Sequence, residues 1–312
     1  MLRRLVAVVG PTASGKSAIA LELARRIGGE IVNADSRQVY RGMDIGTAKP
    51  TLAERKSVRH HLFDVADPKD GYSLALYQHQ ARAILDDIWT RDSFAWLVGG
   101  SAQYVWALLE AWQIPDVAPD AGIRQKLAEY AAMNGWEALH ERLALGDPVA
   151  AGRLDGRNVR RVIRAIEVFE RTGRPISAWQ AKGDPDFEFL LFGIHVPRDV
   201  LYDRIDRRVE KMFAGGLVNE VQGLLASGMP AGCPAMSSIG YGETVRYLAG
   251  ETGLDDAIAR TKFGTHRLAR SQEQWFRKDD RRITWVEGAD DIDLQANIFT
   301  GACTNVIRGE RR

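Results

Sequence analysis

Apolar positions along the chain follow two rhythms. Short unbroken runs, LVAVV at 5–9, FAWLV at 94–98 and FEFLLFGIHV at 187–196, have the length and density of strands buried on both faces. GEIVNADS at 29–36 reads as a shorter strand ending at Asp35, and RITWVEG at 282–288 as a terminal one. Between them the apolar residues recur at helical spacing, in SAIALELARRI (17–27), SLALYQHQARAILDDIWTRD (73–92), SAQYVWALLEAW (101–112) and LYDRIDRRVEKMFAGGLVNEVQGLLASG (201–228). A long amphipathic basic helix is predicted over LDDAIARTKFGTHRLARSQEQWFRKD (254–279).

Alternation of strand and helix implies an α/β fold with a parallel sheet and right-handed crossovers. Two segments break it. The polar, Gly- and Lys-rich stretch 38–68 reads as an ordered functional loop. After IPDVAPD the pattern is helical only, through IRQKLAEYAAMNGWEALHERLA and DGRNVRRVIRAIEVFERTG. This gives a sheet-forming core in 1–118 and 186–290, an all-helical insertion in 119–185 and a tail in 291–312.

A chain of 312 residues has room for one large core with a smaller appended unit. The N-terminal apolar run is too short for a signal-peptide core or a membrane span, so the reading is a soluble cytoplasmic protein, with nothing demanding more than a monomer. Cys233 and Cys303 lack metal-ligand spacing and are read as structural. The net charge of +1 hides two basic stretches: seven arginines against three acids from Arg153 to Arg174, and eight basic residues against three acids from Arg260 to Arg282. Such surfaces can be solvated helix faces or the footprint of a polyanion.

GPTASGKS at 10–17 changes the picture. Gly10, Gly15, Lys16 and Ser17 fulfil the G-x-x-x-x-G-K-[ST] pattern between a strand and a helix. Backbone N–H groups of Gly10, Pro11 to Ser14 (Thr12 and Ala13 between, proline contributing none) and Gly15 can converge on phosphate oxygens, Lys16 supplies charge, and the Ser17 hydroxyl can ligate Mg²⁺. A nucleotide hydrolase would also place a metal-holding aspartate at the end of a second strand, whereas FAWLVGGS ends in glycines and a hydroxyl. Asp35, on the same sheet edge, suits a general base.

Taken in order, GPTASGKS, DSRQVYRGMDIGTAKPT (35–51), HHLFDV (60–65), VGGSAQY (98–104), RNVRRVIRAIEVFERTGRPIS (157–177), SIGYGE (238–243) and RLARSQEQWFRKD (267–279) resemble the successive motifs of the tRNA dimethylallyltransferases. The resemblance implies a P-loop NTPase-like sheet whose loop holds dimethylallyl diphosphate, with Mg²⁺, and releases diphosphate. The acceptor it implies is the exocyclic N6 amine of the adenine 3′ of the anticodon, position 37, in tRNAs reading codons that start with U. By the same resemblance Asp35, Ser101 and Lys16 are catalytic, and Arg204 or Arg208 assists the phosphates. Asp35, Ser36, Arg37, Gln38 and Ser101 would line the base pocket, with Arg124, Arg160, Arg161, Val162, Ile163, Arg164, Gly240 and Tyr241 touching the anticodon stem-loop. The family's usual Thr is Ser101 here, Ala102 and Gln103 also depart from its GGTGLY string, and Gly242 stands where a basic residue is commoner. Gln272, Trp275 and Phe276 resemble elements beside the tRNA, though aromatic residues at helical spacing favour inward packing for the last two; His60 and His61 are read as structural. Two other readings share the loop, an isopentenyltransferase acting on free adenylate and a small-molecule kinase. The extended basic stretches favour tRNA over the former.

Overall fold

The computed structural model describes residues 3–179 and 181–288, together with 293, 296, 297, 299 and 300. The chain divides into two compact units. The larger comprises residues up to Ser73, then Tyr77–Trp106, and the chain from Asp186 onward; the smaller comprises Ala107–Pro185 with Leu74–Leu76. Most of the tail, Cys303 included, lies outside the described residues.

In the larger unit six strands, β1 (Arg4–Val9), β2 (Glu30–Asn33), β3 (His60–His61), β4 (Ala95–Gly99), β5 (Glu188–His195) and β6 (Ile283–Glu287), form one parallel sheet in the order β3-β2-β4-β1-β5-β6. The central strands are apolar because both their faces are covered. Leu5, Val8, Ile31, Trp96, Leu97 and Phe192 are all buried. The helices of this unit are α1 (Lys16–Ile27), α2 (Leu52–Ser57), most of α3 (Leu74–Thr90) and the start of α4 (Ala102–Leu109). The smaller unit holds α5 (Ala121–Gly146), α6 (Pro148–Ala151) and α7 (Val159–Thr172), and the chain returns to the larger one for α8 (Arg198–Ala214), α9 (Leu217–Ala226), α10 (Tyr241–Leu248) and α11 (Leu254–Trp275).

Three elements escape the hydrophobic rhythm. β3 is two residues long and pairs with β2 at Ile31 and Val32, too short to alternate. α2 interrupts the expected loop, nucleated by a capping box in which Thr51 Oγ1 accepts from Glu54 N while Glu54 accepts from Thr51 N. α10 begins inside the SIGYGE motif, where glycines mask the helical signal.

In the smaller unit Leu127, Leu139, Leu143, Val162, Ile163 and Ile166 form a core of their own. Gly135, at φ 85°, breaks α5 into two helical stretches. Asp147 caps α6 through Ala150 N and also accepts from Ser177 N and Oγ.

Candidate active site

Three loops meet at the carboxyl edge of β1, β2 and β4. The first, between β1 and α1, is the phosphate loop. Lys16 is buried, and its Nζ donates to Pro11 O at 3.1 Å. Burial lowers its ammonium to about 8; the negative charge of Asp35 opposes the shift and the positive charge of Arg208 adds to it. Arg208, from α8, donates to Thr12 Oγ1 at 3.3 Å. Burial pushes its guanidinium down, again against the pull of Asp35. Lys16 and Arg208 are therefore two desolvated cations within electrostatic reach of one carboxylate, an arrangement that favours an arriving polyanion. Arg204 lies one turn earlier on α8, half-buried. Ser14 Oγ is buried in the loop without a hydrogen-bond partner among the described residues, a group that a phosphate oxygen would satisfy. Ser17 is exposed at the first turn of α1, where a phosphate-bound cation would sit.

The second loop carries the carboxylate. Asn33 ties down its start: Asp35 N donates to Asn33 Oδ1 at 2.9 Å, and Asn33 Nδ2 donates to Asp35 O and Leu62 O. Asp35 Oδ1 accepts from Arg37 N at 2.9 Å, leaving Oδ2 without a hydrogen bond among the described residues. The third loop supplies Ser101, whose Oγ accepts from Ser36 N at 2.8 Å and lies 3.2 Å from Ser36 Oγ. Serine in place of threonine therefore still makes the link between β4 and the Asp35 loop. At Gly99 a Cβ would fall 2.1 Å from Ala34 O, so the backbones of these two loops touch only because that position has no side chain.

Behind the Asp35 loop is a latch that no pattern in the sequence announces. Glu220, on α9, accepts from Asp44 N, Ile45 N and Gly46 N at 3.0, 2.8 and 3.4 Å, and from Tyr241 Oη at 2.5 Å. Tyr241 is fully buried, and its ring leaves no space for a Cβ at Gly46. Lys49, also buried, donates to Tyr40 O and to Asp44 and Asp64, the latter shared with Arg55. Burial would raise the Asp64 carboxyl, but hydrogen bonds from Lys49 and Arg55 outweigh it and hold it below its ordinary value. Gln38 Nε2 donates to Thr47 O and Ala48 O, so its amide also braces the loop.

Several expectations are corrected by this placement. Tyr241, expected at the RNA surface, is buried and donates to Glu220 in the latch. Gly240, likewise buried, donates its N–H to Glu243 at 2.8 Å. Val162 and Ile163 face the core of the helical unit and present no side chain to a partner. Arg124 and Arg164 are engaged by Glu167, which is fully buried and accepts from Arg124 Nε, Arg164 Nη1 and Asp120 N at 2.8, 2.7 and 2.7 Å. Burial would raise the Glu167 carboxyl, but those hydrogen bonds hold it below its ordinary value. Arg160 and Arg161, by contrast, are exposed and form no ion pair among the described residues. Phe276 packs inward, tilted against Trp106 at 6.1 Å, whereas Trp275, where α11 ends, is 44% exposed. His61 Nε2 bonds Glu30 at 2.7 Å and His60 Nδ1 bonds Val58 O at 2.7 Å, both structural.

A phosphate loop on a parallel sheet, with glycines and a hydroxyl where a hydrolase carries its metal-holding aspartate and a carboxylate instead at the end of β2, defines a group-transfer enzyme of the P-loop class. Comparison with known proteins gives the family. The profile described as IPP transferase matches residues 38–279. A tRNA dimethylallyltransferase of Roseiflexus sp. strain RS-1 is 49% identical over 292 residues, covering 94% of this chain and 96% of that protein. One of Geobacter metallireducens is 50% identical over 287 residues, covering 91% and 92%. The crystal structure of a full-length tRNA isopentenylpyrophosphate transferase from Bacillus halodurans superposes with a TM-score of 0.73 at 37% identity, covering 99% of this chain and 98% of that one. A eukaryotic dimethylallyltransferase acting on tRNA shares the fold at a TM-score of 0.83 and 24% identity, covering 99% of this chain and 80% of that one. This chain belongs to the IPP transferase family.

Proposed function

We propose that the protein transfers the dimethylallyl group of dimethylallyl diphosphate to the N6 amine of the adenine 3′ of the anticodon in tRNA, releasing diphosphate. The observation that carries this reading is the convergence of Lys16, Arg208 and Asp35 on one edge of the sheet, cations on the leaving-group side and a carboxylate with a free oxygen on the other. An aromatic amine is a poor nucleophile, and an allylic carbon becomes cation-like as its bond to oxygen breaks. Lys16, Arg208 and the loop amides stabilise the departing diphosphate. Asp35 accepts the amine proton as the C–N bond forms and the C–O bond breaks, and Ser101 orients the acceptor. Magnesium bound with the diphosphate would supply further charge neutralisation, and the Ser17 hydroxyl is the ligand this chain offers it.

The adenine must leave its stack to reach such a site, at a cost of a few kcal/mol that backbone contacts offset. Arg160 and Arg161 are suited to those contacts, being exposed and without carboxylate partners among the described residues. No described helix is long and apolar enough to cross a membrane, and the same reading places the protein in the cytoplasm as a monomer. The test is mass spectrometry of unmodified tRNA incubated with protein and dimethylallyl diphosphate. A gain of one prenyl unit on the anticodon arm is expected. Turnover on free adenylate alone would replace this reading with the mononucleotide one, and γ-phosphate transfer from ATP would replace it with the kinase.

A further inference from the structure

Gln272 lies near the C-terminal end of α11, on a helix whose sequence advertises arginines and aromatics, and its side chain is 8% exposed. Both ends of its amide are used. Oε1 accepts from Thr12 N in the phosphate loop at 2.8 Å, and Nε2 donates to Gly100 O in the turn after β4 at 2.9 Å. A Cβ at Gly100 would stand 2.3 Å from Nε2, so the glycine is what lets the amide come this close. From Gly100 the connection runs on through the backbone to Ser101, whose hydroxyl receives Ser36 N beside Asp35.

We infer that Gln272 is a positioning residue for the transfer, a strut that sets the phosphate loop against the Ser101–Asp35 side and so fixes where the allylic carbon stands relative to the amine. The inference rests on the proposed reaction and goes beyond it. Two features make Gln272 suited to this. A primary amide is both donor and acceptor, which the two backbone groups require at once. It is also held on a long helix apart from either loop, so both loops are referred to one fixed support. A displacement of about 1 Å at a reacting centre is enough to cost on the order of 10²-fold in rate. The two buried cations that hold the diphosphate, Lys16 and Arg208, make no hydrogen bond to Gln272 among the described residues, so most of the ground-state grip should survive its loss.

Two variants of the full chain test this. Gln272→Leu removes both hydrogen bonds; the residue borders a cavity of about 440 Å³ shared with Pro11, Ile194, Phe276 and Trp285, which gives the branched side chain room. A fall in kcat of roughly 30-fold is expected, with KM for dimethylallyl diphosphate and the affinity for inorganic pyrophosphate, measured by calorimetry, changed less than about threefold. Gln272→Glu keeps the acceptor for Thr12 N but can donate to Gly100 O only when protonated. Its deficit in kcat relative to the unsubstituted protein should therefore shrink as pH falls from about 8 to about 5.5, a dependence that a merely space-filling residue would not create. Should the leucine variant fail to fold, the glutamate profile decides. A folded Gln272→Leu protein with undiminished kcat, a loss of pyrophosphate affinity equal to the loss of turnover, or a glutamate variant whose pH profile runs parallel to the unsubstituted one would each overturn the inference. Absence of prenyl transfer by the unsubstituted protein would instead sink the proposed function.

Discussion

The phosphate loop and the arginine-rich helix α7 both collect positive charge, and they do so by opposite means. At the loop Lys16 and Arg208 are desolvated and answer to a single carboxylate across the site. On α7 and its surroundings, four arginines are paired with acids. Glu167 takes Arg124 and Arg164, Asp120 takes Arg171, and Glu170 takes Arg142, while Arg160 and Arg161 are left in solvent. Burial makes charge strong and specific at one ligand; exposure makes it weak per residue, additive and sensitive to salt. A small diphosphate calls for the first and a long RNA backbone for the second.

The comparison breaks most visibly at Asp35, the proposed base facing the buried cations. Asp35→Ala should leave pyrophosphate affinity nearly intact while turnover falls by at least about 100-fold; steady-state kinetics beside calorimetry would show the split, and full activity would remove the residue from the mechanism. Next comes Glu167. Its replacement by alanine strands Arg124 and Arg164 and should cost about 2–4 kcal/mol of stability, read by chemical denaturation near neutral pH. Because the folded carboxyl titrates below its ordinary value of 4.5, that contribution is present above about pH 4.5 and is lost as pH falls through the lower folded value, so the two proteins should converge in acid.

A smaller effect separates the two charge types by titration. Burial lowers the Lys16 ammonium to about 8, so KM for dimethylallyl diphosphate should climb as pH rises past that point, whereas the tRNA KM should stay flat because arginines do not titrate there. Smallest per residue is the surface term. Arg160→Ala and Arg161→Ala should each raise the tRNA KM a few-fold and reduce the slope of log affinity against log salt by about one, while Arg164→Ala should act on folding instead.

The sequence declared its sheet and its phosphate loop because both rest on local signals, an apolar run followed by glycines, a lysine and a hydroxyl. Asp35 was legible from its place at a strand end, and from the string of residues that follows it. What stayed hidden depends on side chains meeting across long separations. Nothing near residue 220 says that its carboxylate will gather three amides of the Asp35 loop, and Tyr241 reads as a surface residue until Gly46 is seen beneath its ring. The arginines of 153–174 were visible as a group, but their division into engaged and free members depends on Glu167, which helical periodicity places on the apolar face without saying that it binds Arg164, and on the distant Asp120, which takes Arg171.

The backbone contact at Gly99 carries a consequence for the enzyme's history. With Ala34 O lying 2.1 Å from where a first side-chain carbon would go, no point substitution there can install the metal-holding aspartate of a nucleotide hydrolase without prising two strand ends apart. That one route from group transfer to hydrolysis stays shut at Gly99 until the sheet edge is rebuilt.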